Sequence, residues 1–518
     1  MKNRSLFAQL FAGLILATVS FALSGCSQYV LYKTPEYNFA GRPTPPSKLL
    51  HRVLAAYTAN GSSGGIEILD AERDLRRNVQ NTIPSYSISG FSAAQPTMIY
   101  NYPEETRGYV LSYTDGNLGT INYSTESSLG SAASFGADPP SAAAAPNGSL
   151  FAGAAEISGQ LIVSSGGGSY ALNLPNVYRV FIDQGNSMVL AMVRNSNTLY
   201  RVVKLPATNN PVTPPGAVDC QPLLLPVVCV VPVAGTYDRP TAAYSSLDGN
   251  TIYVLNCGAE CGGTTASVSF LNAGALELTN VPTTATPPSP METLPVANPV
   301  PVPGGATVAV SDGTNLYLAG QQLQGTGLLA GNLTLINLST YVAAAPISIA
   351  DGNHTRLLFA DDNTLWVGAS QCANGPRAAL AAKQLATTGI TTQAANYNCL
   401  TMVTLGGATP VAQVIPAVVQ STVSGTTAVP VGYPNTNENL YYYGSLTGIC
   451  WVQYLHKVYS AYGGQIHAFY TGGQISDQND PMYGQTPAAG TEVNNTNVTV
   501  QGTVLDVAFP DATTNQAN

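Results

Sequence analysis

The apolar residues of this chain alternate with a period of two nearly everywhere, and the alternating runs recur behind the same kind of turn. Asp248-Gly249-Asn250 leads into Thr251-Ile252-Tyr253-Val254-Leu255. Asp312-Gly313 precedes Leu316-Tyr317-Leu318, Asn147-Gly148 precedes Leu150-Phe151, and Gln184-Gly185-Asn186 precedes Met188-Val189-Leu190. Asp361-Asp362-Asn363 likewise precedes Leu365-Trp366-Val367. Successive side chains on a strand point to opposite faces, so this period places one apolar face per strand and argues against helices. Gly, Asn and Asp supply the turn conformations between the runs. A second strand ending in a polar residue often follows, as at 66–70, 266–272 and 333–337.

Turn, strand, small-residue loop and strand, repeated along a chain, is the mark of radial β repeats. Candidate first strands begin near 51, 97, 144, 179, 241, 306, 350 and 440. The expectation is an all-β fold: a β-propeller of seven four-stranded blades, with eight as the alternative. Seven is favoured because two weak repeats can share one blade. The intervals Gly185 to Gly249 and Gly249 to Gly313 exceed a blade period of roughly 40–50 residues. The excess is assigned to irregular loop insertions rich in Pro, Ala and Thr at 206–240, 281–303 and 371–438. The late apolar run 504–509 is expected to pair with the first blade and close the ring, removing two exposed sheet edges.

Composition excludes some function classes. Charged residues make up 9% of the 518, against about 25% in a typical domain. With 45% apolar residues a large core is available and wholesale disorder is excluded. Tyr (28) outnumbers Phe (12) and Trp (2), which suits half-exposed strands. The formal charge of −9 argues against a nucleic-acid partner held by a basic surface.

The N-terminus reads as an address. Lys2 and Arg4 precede an apolar run over 6–22, broken only by Gln9, Thr18 and Ser20, and Leu23-Ser24-Gly25-Cys26 follows. A charged start, an apolar stretch and small residues before a cut describe a secretory signal. Leu-Ser-Gly-Cys in that position resembles the lipobox of bacterial lipoproteins. The resemblance implies a signal peptide at 1–25, a diacylglycerol thioether on Cys26 and acylation of the new amine. It also implies a membrane partner through the lipid anchor. Ser27 stands where an aspartate marks inner-membrane retention, so the expected location is the cell envelope of a Gram-negative bacterium, at its outer membrane. Residues 26–50 carry Pro35, Pro43, Pro45 and Pro46 and read as a stiffened tether. The propeller is then placed at 51–510 and a polar tail at 511–518.

Ser246-Leu247-Asp248-Gly249-Asn250-Thr251-Ile252-Tyr253-Val254-Leu255-Asn256, with a strand ending at Asn272, is similar to the repeat of YVTN-type bacterial propellers. Leu247 stands where that family usually has Pro, and Asn272 where it usually has Asp. The resemblance implies a fold far more than a function.

Of eight cysteines, Cys26 takes the lipid. In an oxidising compartment pairing is the default for the rest. Nearest neighbours suggest Cys220–Cys229, Cys257–Cys261 and Cys372–Cys399, leaving Cys450 free and buried. Cys257-Gly-Ala-Glu-Cys261 also invites a metal or redox reading, but a zinc site wants four ligands. No second close pair exists, and His51, His354, His456 and His467 are scattered. No metal and no cofactor is expected.

Catalytic strings are weak. Gly61-Ser62-Ser63-Gly64-Gly65 matches Gly-x-Ser-x-Gly, which needs a strand-to-helix elbow, yet it lies between two β-type runs and reads as a hairpin loop. Gly325-Thr326-Gly327 with Gly331 lacks the lysine and helix of a phosphate loop. The pairs Glu104/Glu105, Asp361/Asp362 and Asp477/Asp480 are expected as turn caps and solvated edges, since neighbours on a strand face opposite ways. The charge cluster from Glu67 to Arg77 reads as a solvated face between blades. His456 and His467, around Tyr459 and Tyr462, could line a binding funnel or simply pack. No catalytic residue is assigned. The expected function is a monomeric, non-catalytic binding module taking a protein, peptide or glycan ligand through loops at one face of the disc. The alternative is a periplasmic propeller enzyme of lactonase- or lyase-like type.

Overall fold

The computed structural model describes residues 39, 42–72, 75–76, 87–166, 168–207, 211–222, 226–284, 287–291, 294–325, 327, 329–372, 398–407, 409–415, 443–478, 480, 482–493, 500 and 502–512. Cys26, the signal segment and most of the tether lie outside them. The chain divides into two compact units, Met1–Leu50 and His51–Asn518. In the first, the Lys48 amide donates to the Pro45 carbonyl at 2.9 Å, a short turn at the end of the proline-rich stretch.

Among the described residues the second unit forms eight antiparallel sheets, most of them simple meanders. Blade 1 comprises Arg52–Thr58, Gly64–Asp70 and Leu75–Arg76, with Thr503–Ala508 on its inner edge. Blade 2 comprises Pro96–Tyr102, Arg107–Ser112, Asn117–Asn122 and Ser127–Ser134; blade 3, Ser141–Ala144, Leu150–Ala155, Gln160–Ser165 and Gly168–Asn173. Blade 4 starts with Val177–Ile182, Val189–Val193 and Leu199–Lys204, continued by Val228–Pro232 and Asp219–Gln221. Blade 5 comprises Pro240–Ser245, Thr251–Asn256, Ser267–Asn272 and Val300–Pro301; blade 6, Val308–Ser311, Asn315–Leu323, Leu329–Asn337, Val342–Ala343 and Ile347–Ser348. Blade 7 comprises Asn353–Ala360, Thr364–Ser370, Leu400–Thr404 and Val411–Ile415; blade 8, among the described residues, Leu446–Val452, Lys457–Tyr462 and Gln465–Tyr470.

The ring therefore has eight blades, not the favoured seven. Seven of the candidate starts fall on or beside the first strand of their own sheet, and the one near 440 lies outside the described residues, ahead of Leu446–Val452, so no two repeats merge. The assigned insertions also need correction. Segments 206–240, 281–303 and 371–438 are not loops alone, since they supply outer strands of blades 4, 5 and 7. An outer strand is short and half-exposed, so its alternation is diluted by polar and small residues.

The C-terminal strand closes the ring as expected: Leu54 pairs with Ala508, Ala55 with Val507 and Tyr57 with Val504. Closure continues past the strand. Asp511, placed by sequence in a polar tail, is a buried partner of Arg52, whose Nη2 lies 2.6 Å from Asp511 Oδ1. The same guanidinium reaches Glu126 Oε1 of blade 2 at 2.8 Å and donates to the Tyr123 carbonyl at 2.7 Å. Both carboxylates and the Arg52 side chain are at most 4% exposed.

Apolar faces of neighbouring blades fill the gaps between them. Leu161, Val163 and Tyr170 of blade 3 pack with Val177, Val189 and Val202 of blade 4. Trp366 of blade 7 packs with Val458 and Phe469 of blade 8. The core is thus a set of wedges between sheets, the only arrangement that buries both faces of every radial sheet.

Candidate functional site: the axial channel

The first strand of each blade from 2 onward lies at one edge of its sheet, as Thr503–Ala508 does in blade 1, and tyrosines fasten several of these strands together. Tyr100 Oη on blade 2 donates to the Ala142 carbonyl of blade 3 at 2.5 Å, and Tyr102 Oη to that of Ala144 at 2.6 Å. Tyr178 of blade 4 donates to the Pro240 carbonyl of blade 5 at 3.2 Å. Tyr244 of blade 5 bonds the Ala309 backbone of blade 6. Thr307 of blade 6 continues the pattern to the His354 carbonyl of blade 7 at 3.1 Å. Burial pushes the Tyr100, Tyr102 and Tyr244 phenols upward. They are neutral donors throughout the physiological range.

Around these rings a cavity of about 410 Å3 opens, lined in part by Tyr100, Tyr102, Phe181, Tyr244, Tyr253 and Ser246. Burial raises the Tyr253 phenol to about 12. Two carboxylates reach this mouth, Glu105 and Asp183. Asp183 is spent on its own turn, where it accepts from the Ser187 and Met188 amides at 2.8 and 2.7 Å and from Ser187 Oγ at 2.9 Å. Glu105 ends the short 3-10 turn Pro103–Glu105.

A second cavity of about 230 Å3, sharing Tyr100, Tyr102, Phe181 and Tyr244 with the first, adds Arg179, Arg356 and Asp506. Asp506, on the closing strand, accepts from the Ile99 amide at 2.7 Å and faces Arg356 Nη2 at 3.6 Å. Burial raises its carboxyl despite the opposing pull of Arg356 and the Ile99 and Val507 amides. A Cβ at Gly448 of blade 8 would stand 2.2 Å from Asp506 Oδ1, so glycine is required there. Glu105, Ser246 and Tyr253 stood out in the sequence for other reasons, as an acid pair and a repeat, and none of the lining residues was expected at a channel. The signal that could have found them is the set of blade starts, because alternate residues of each first strand must face the axis.

The residues that sequence did single out are dispersed. Disulfides join Cys220 to Cys229, Cys257 to Cys261 and Cys372 to Cys399, and Cys450 is free and buried. The Cys257–Cys261 bond closes the short turn Gly258–Cys261 and aims Glu260 at blade 6. There Glu260 accepts from the Gln321 amide at 2.7 Å and from Gln321 Nε2 at 3.0 Å. Gly61 to Gly65 is a hairpin loop between Arg52–Thr58 and Gly64–Asp70, so the motif serine, Ser63, sits on no strand-to-helix elbow, and its carbonyl accepts from the Ala59 amide at 2.7 Å.

Several acids are not the solvated edges expected of them. Asp480 forms a fully buried pair with Lys457 at 2.7 Å and accepts from Tyr470 Oη at 2.9 Å. Glu67, Asp70 and Glu72 of the charge cluster are buried as well, at 3%, 0% and 5% exposure. They lie on and beside a strand covered by its neighbours, a placement that local charge density does not encode. His467 is no funnel residue: it is buried, stacks on Tyr443 with centroids 4.1 Å apart, and bonds Glu492 Oε1 at 2.7 Å. His456 and the pair Asp361/Asp362 meet at the surface between blades 7 and 8, with Nδ1 2.5 Å from Asp361 Oδ2 and 3.0 Å from Asp362 Oδ2.

Among the described residues no helix is long and apolar enough to cross a membrane. No protein family model and no curated protein matches the chain. Solved structures similar to it include the β-propeller domain of Cps50 (Swd1) from Myceliophthora thermophila, at 10% identity over 72% of this chain and 96% of that one, TM-score 0.39. Hydrazine synthase from Kuenenia stuttgartiensis aligns at 12% identity over 54% of this chain and 74% of that one, TM-score 0.38. A Bacteroides fragilis protein described as a candidate 6-phosphogluconolactonase aligns at 11% identity over 89% and 97%, TM-score 0.39. The eight-bladed ring rests on the strand pairing given above, not on these likenesses.

Proposed function

We propose that this chain is an envelope lipoprotein carrying a YVTN-like propeller, anchored through Cys26 at the outer membrane, that binds a glycan or peptide at the mouth of its channel. The observation that supports binding is the lining of that mouth. Phe181 and the tyrosines offer flat apolar rings and Ser245 a short hydroxyl, while Ser246 and Ser311 spend theirs on Asp248 and the Asn315 carbonyl. Rings with a few convergent polar groups suit recognition of an uncharged or weakly charged ligand. General acid–base work needs carboxylates or imidazoles set across a substrate. Here one of the two carboxylates is engaged by backbone amides.

The test is a screen of the chain against glycan and peptide arrays, with Phe181→Ala alongside. A ligand that loses about two- to tenfold in affinity with Phe181→Ala supports the reading, as expected for removal of a stacking ring worth about 0.5–1.5 kcal/mol. A ligand indifferent to that change places recognition elsewhere, and turnover of a lactone panel would replace the binding reading with the enzymatic one. The anchor is tested separately by labelling cells with a palmitate analogue. Label is expected on the wild type and lost in Cys26→Ala; an unlabelled wild type removes the lipoprotein claim.

A further inference from the structure

The junction of blades 7 and 8 carries a second group of chemistry-bearing residues, away from the channel. Asp361 and Asp362 occupy the turn between Asn353–Ala360 and Thr364–Ser370. His456 ends the turn between Leu446–Val452 and Lys457–Tyr462. Both turns connect the two innermost strands of their blades, so they emerge on the same face of the disc. Adjacent acids on a strand would diverge. Here Asp362 and His456 take left-handed backbone, with φ of 60° and 53°, and the side chains converge instead.

The set is a mixed nitrogen and oxygen donor group, not a patch of acids. Its three donor atoms lie within 4.8 Å of one another. Nδ1 of His456 faces both carboxylates at 2.5 and 3.0 Å, although the ring nitrogen carries at most one proton to share between them. Thr471 Oγ1 donates to Asp362 Oδ2 at 2.8 Å, and the Thr471 amide donates to the His456 carbonyl at 2.9 Å, which orients two of the donors. Both oxygens of Asp361 are closed off from solvent, and neither accepts a hydrogen bond of ordinary geometry. The imidazole is seated against Gly473, where a Cβ would stand 2.3 Å from Nδ1. Two carboxylates with one imidazole are short of positive charge.

We propose that Asp361, Asp362 and His456 form a divalent-cation site that clasps blade 7 to blade 8. Imidazole with two carboxylates suits a borderline transition metal such as zinc, whereas calcium seeks six to eight oxygens. His456 and Asp362 are 29% and 28% exposed, so the cation can enter from their side and keep water in its remaining positions. Each carboxylate and the ring give one lone pair, and the bound cation replaces the proton between them.

The test uses full-length, tag-free chain stripped with a chelator and titrated with zinc, with calcium in parallel. His456→Asn and Asp362→Asn are the variants, because Asn tolerates left-handed backbone and leaves the turns intact. Zinc should bind at one ion per chain and raise the melting temperature, and each variant should weaken it by at least tenfold. Metal-free variants should melt with the wild type, which separates loss of a ligand from loss of the fold. Absence of zinc binding at micromolar concentration, equal binding by wild type and both variants, or calcium binding as tight as zinc, would each overturn the proposal.

Discussion

His354 shows what burial does to a single titratable group. It is 3% exposed on the first strand of blade 7, with Nε2 2.8 Å from the Ala350 carbonyl, so the neutral ring carries its proton on that nitrogen. Burial lowers its pKa from 6.5 to about 4, against the weaker pull of the Ala350 carbonyl. Between those values the unfolded chain binds the proton and the folded one does not. Stability therefore rises with pH across the window and is lost as pH falls from about 6.5 to about 4, by about 3 kcal/mol. Urea midpoints from pH 7 to 4 in wild type and His354→Gln measure this contribution, because carboxylates contribute equally to both. The variant should show the shallower slope, and identical slopes would refute the assignment.

The disulfide turn Gly258–Cys261 is an element whose purpose lies outside itself. Its Cys-x-x-x-Cys spacing suggested metal or redox chemistry, yet the bond braces a loop that delivers Glu260 to blade 6. Burial raises the Glu260 carboxyl, while the two Gln321 donors hold it down. Glu260→Ala would leave the Gln321 amide without its acceptor, costing about 1–3 kcal/mol. Thermal melts should show the loss, and reduction of the disulfide should reproduce part of it in wild type and little of it in the variant. Equal sensitivity of both to reductant would separate the disulfide from the Glu260 bridge.

A propeller at the scale of the whole molecule stands or falls with its closure. Thr503–Ala508 completes blade 1, Asp506 on that strand touches blades 2 and 7, and Asp511 beyond it pins Arg52. Removing residues 501–518 should lower the melting temperature by many degrees, since it opens the ring at two sheet edges and takes one of two carboxylate partners from the buried Arg52. Asp511→Ala alone, which leaves the strand in place, should lower the melting temperature but cost less than the about 3–5 kcal/mol of a buried charge left wholly unpaired, because Glu126 Oε1 still lies 2.8 Å from Arg52. An unchanged melt in the truncated chain would refute closure at this seam.

Alternation and turn residues are local, so the strands, the eight blade starts and the closing strand could be read along the chain. The nearest cysteines could be paired for the same reason, because short loops impose proximity. Asp480 beside Lys457, Asp511 beside Arg52 and His456 beside Asp361 and Asp362 could not be read that way. Each joins residues whose separation is set by how blades pack, and the period-two pattern looks the same whether a charge faces water, an axial channel or a neighbouring sheet. The number of blades belongs to the same class, since merging or separating two repeats is decided by the angle at which wedge-shaped cores fill the ring. Sequence alone determined that this chain forms short strands in succession; only tertiary packing decided which side chains meet, because that depends on distances across the ring that no local pattern carries.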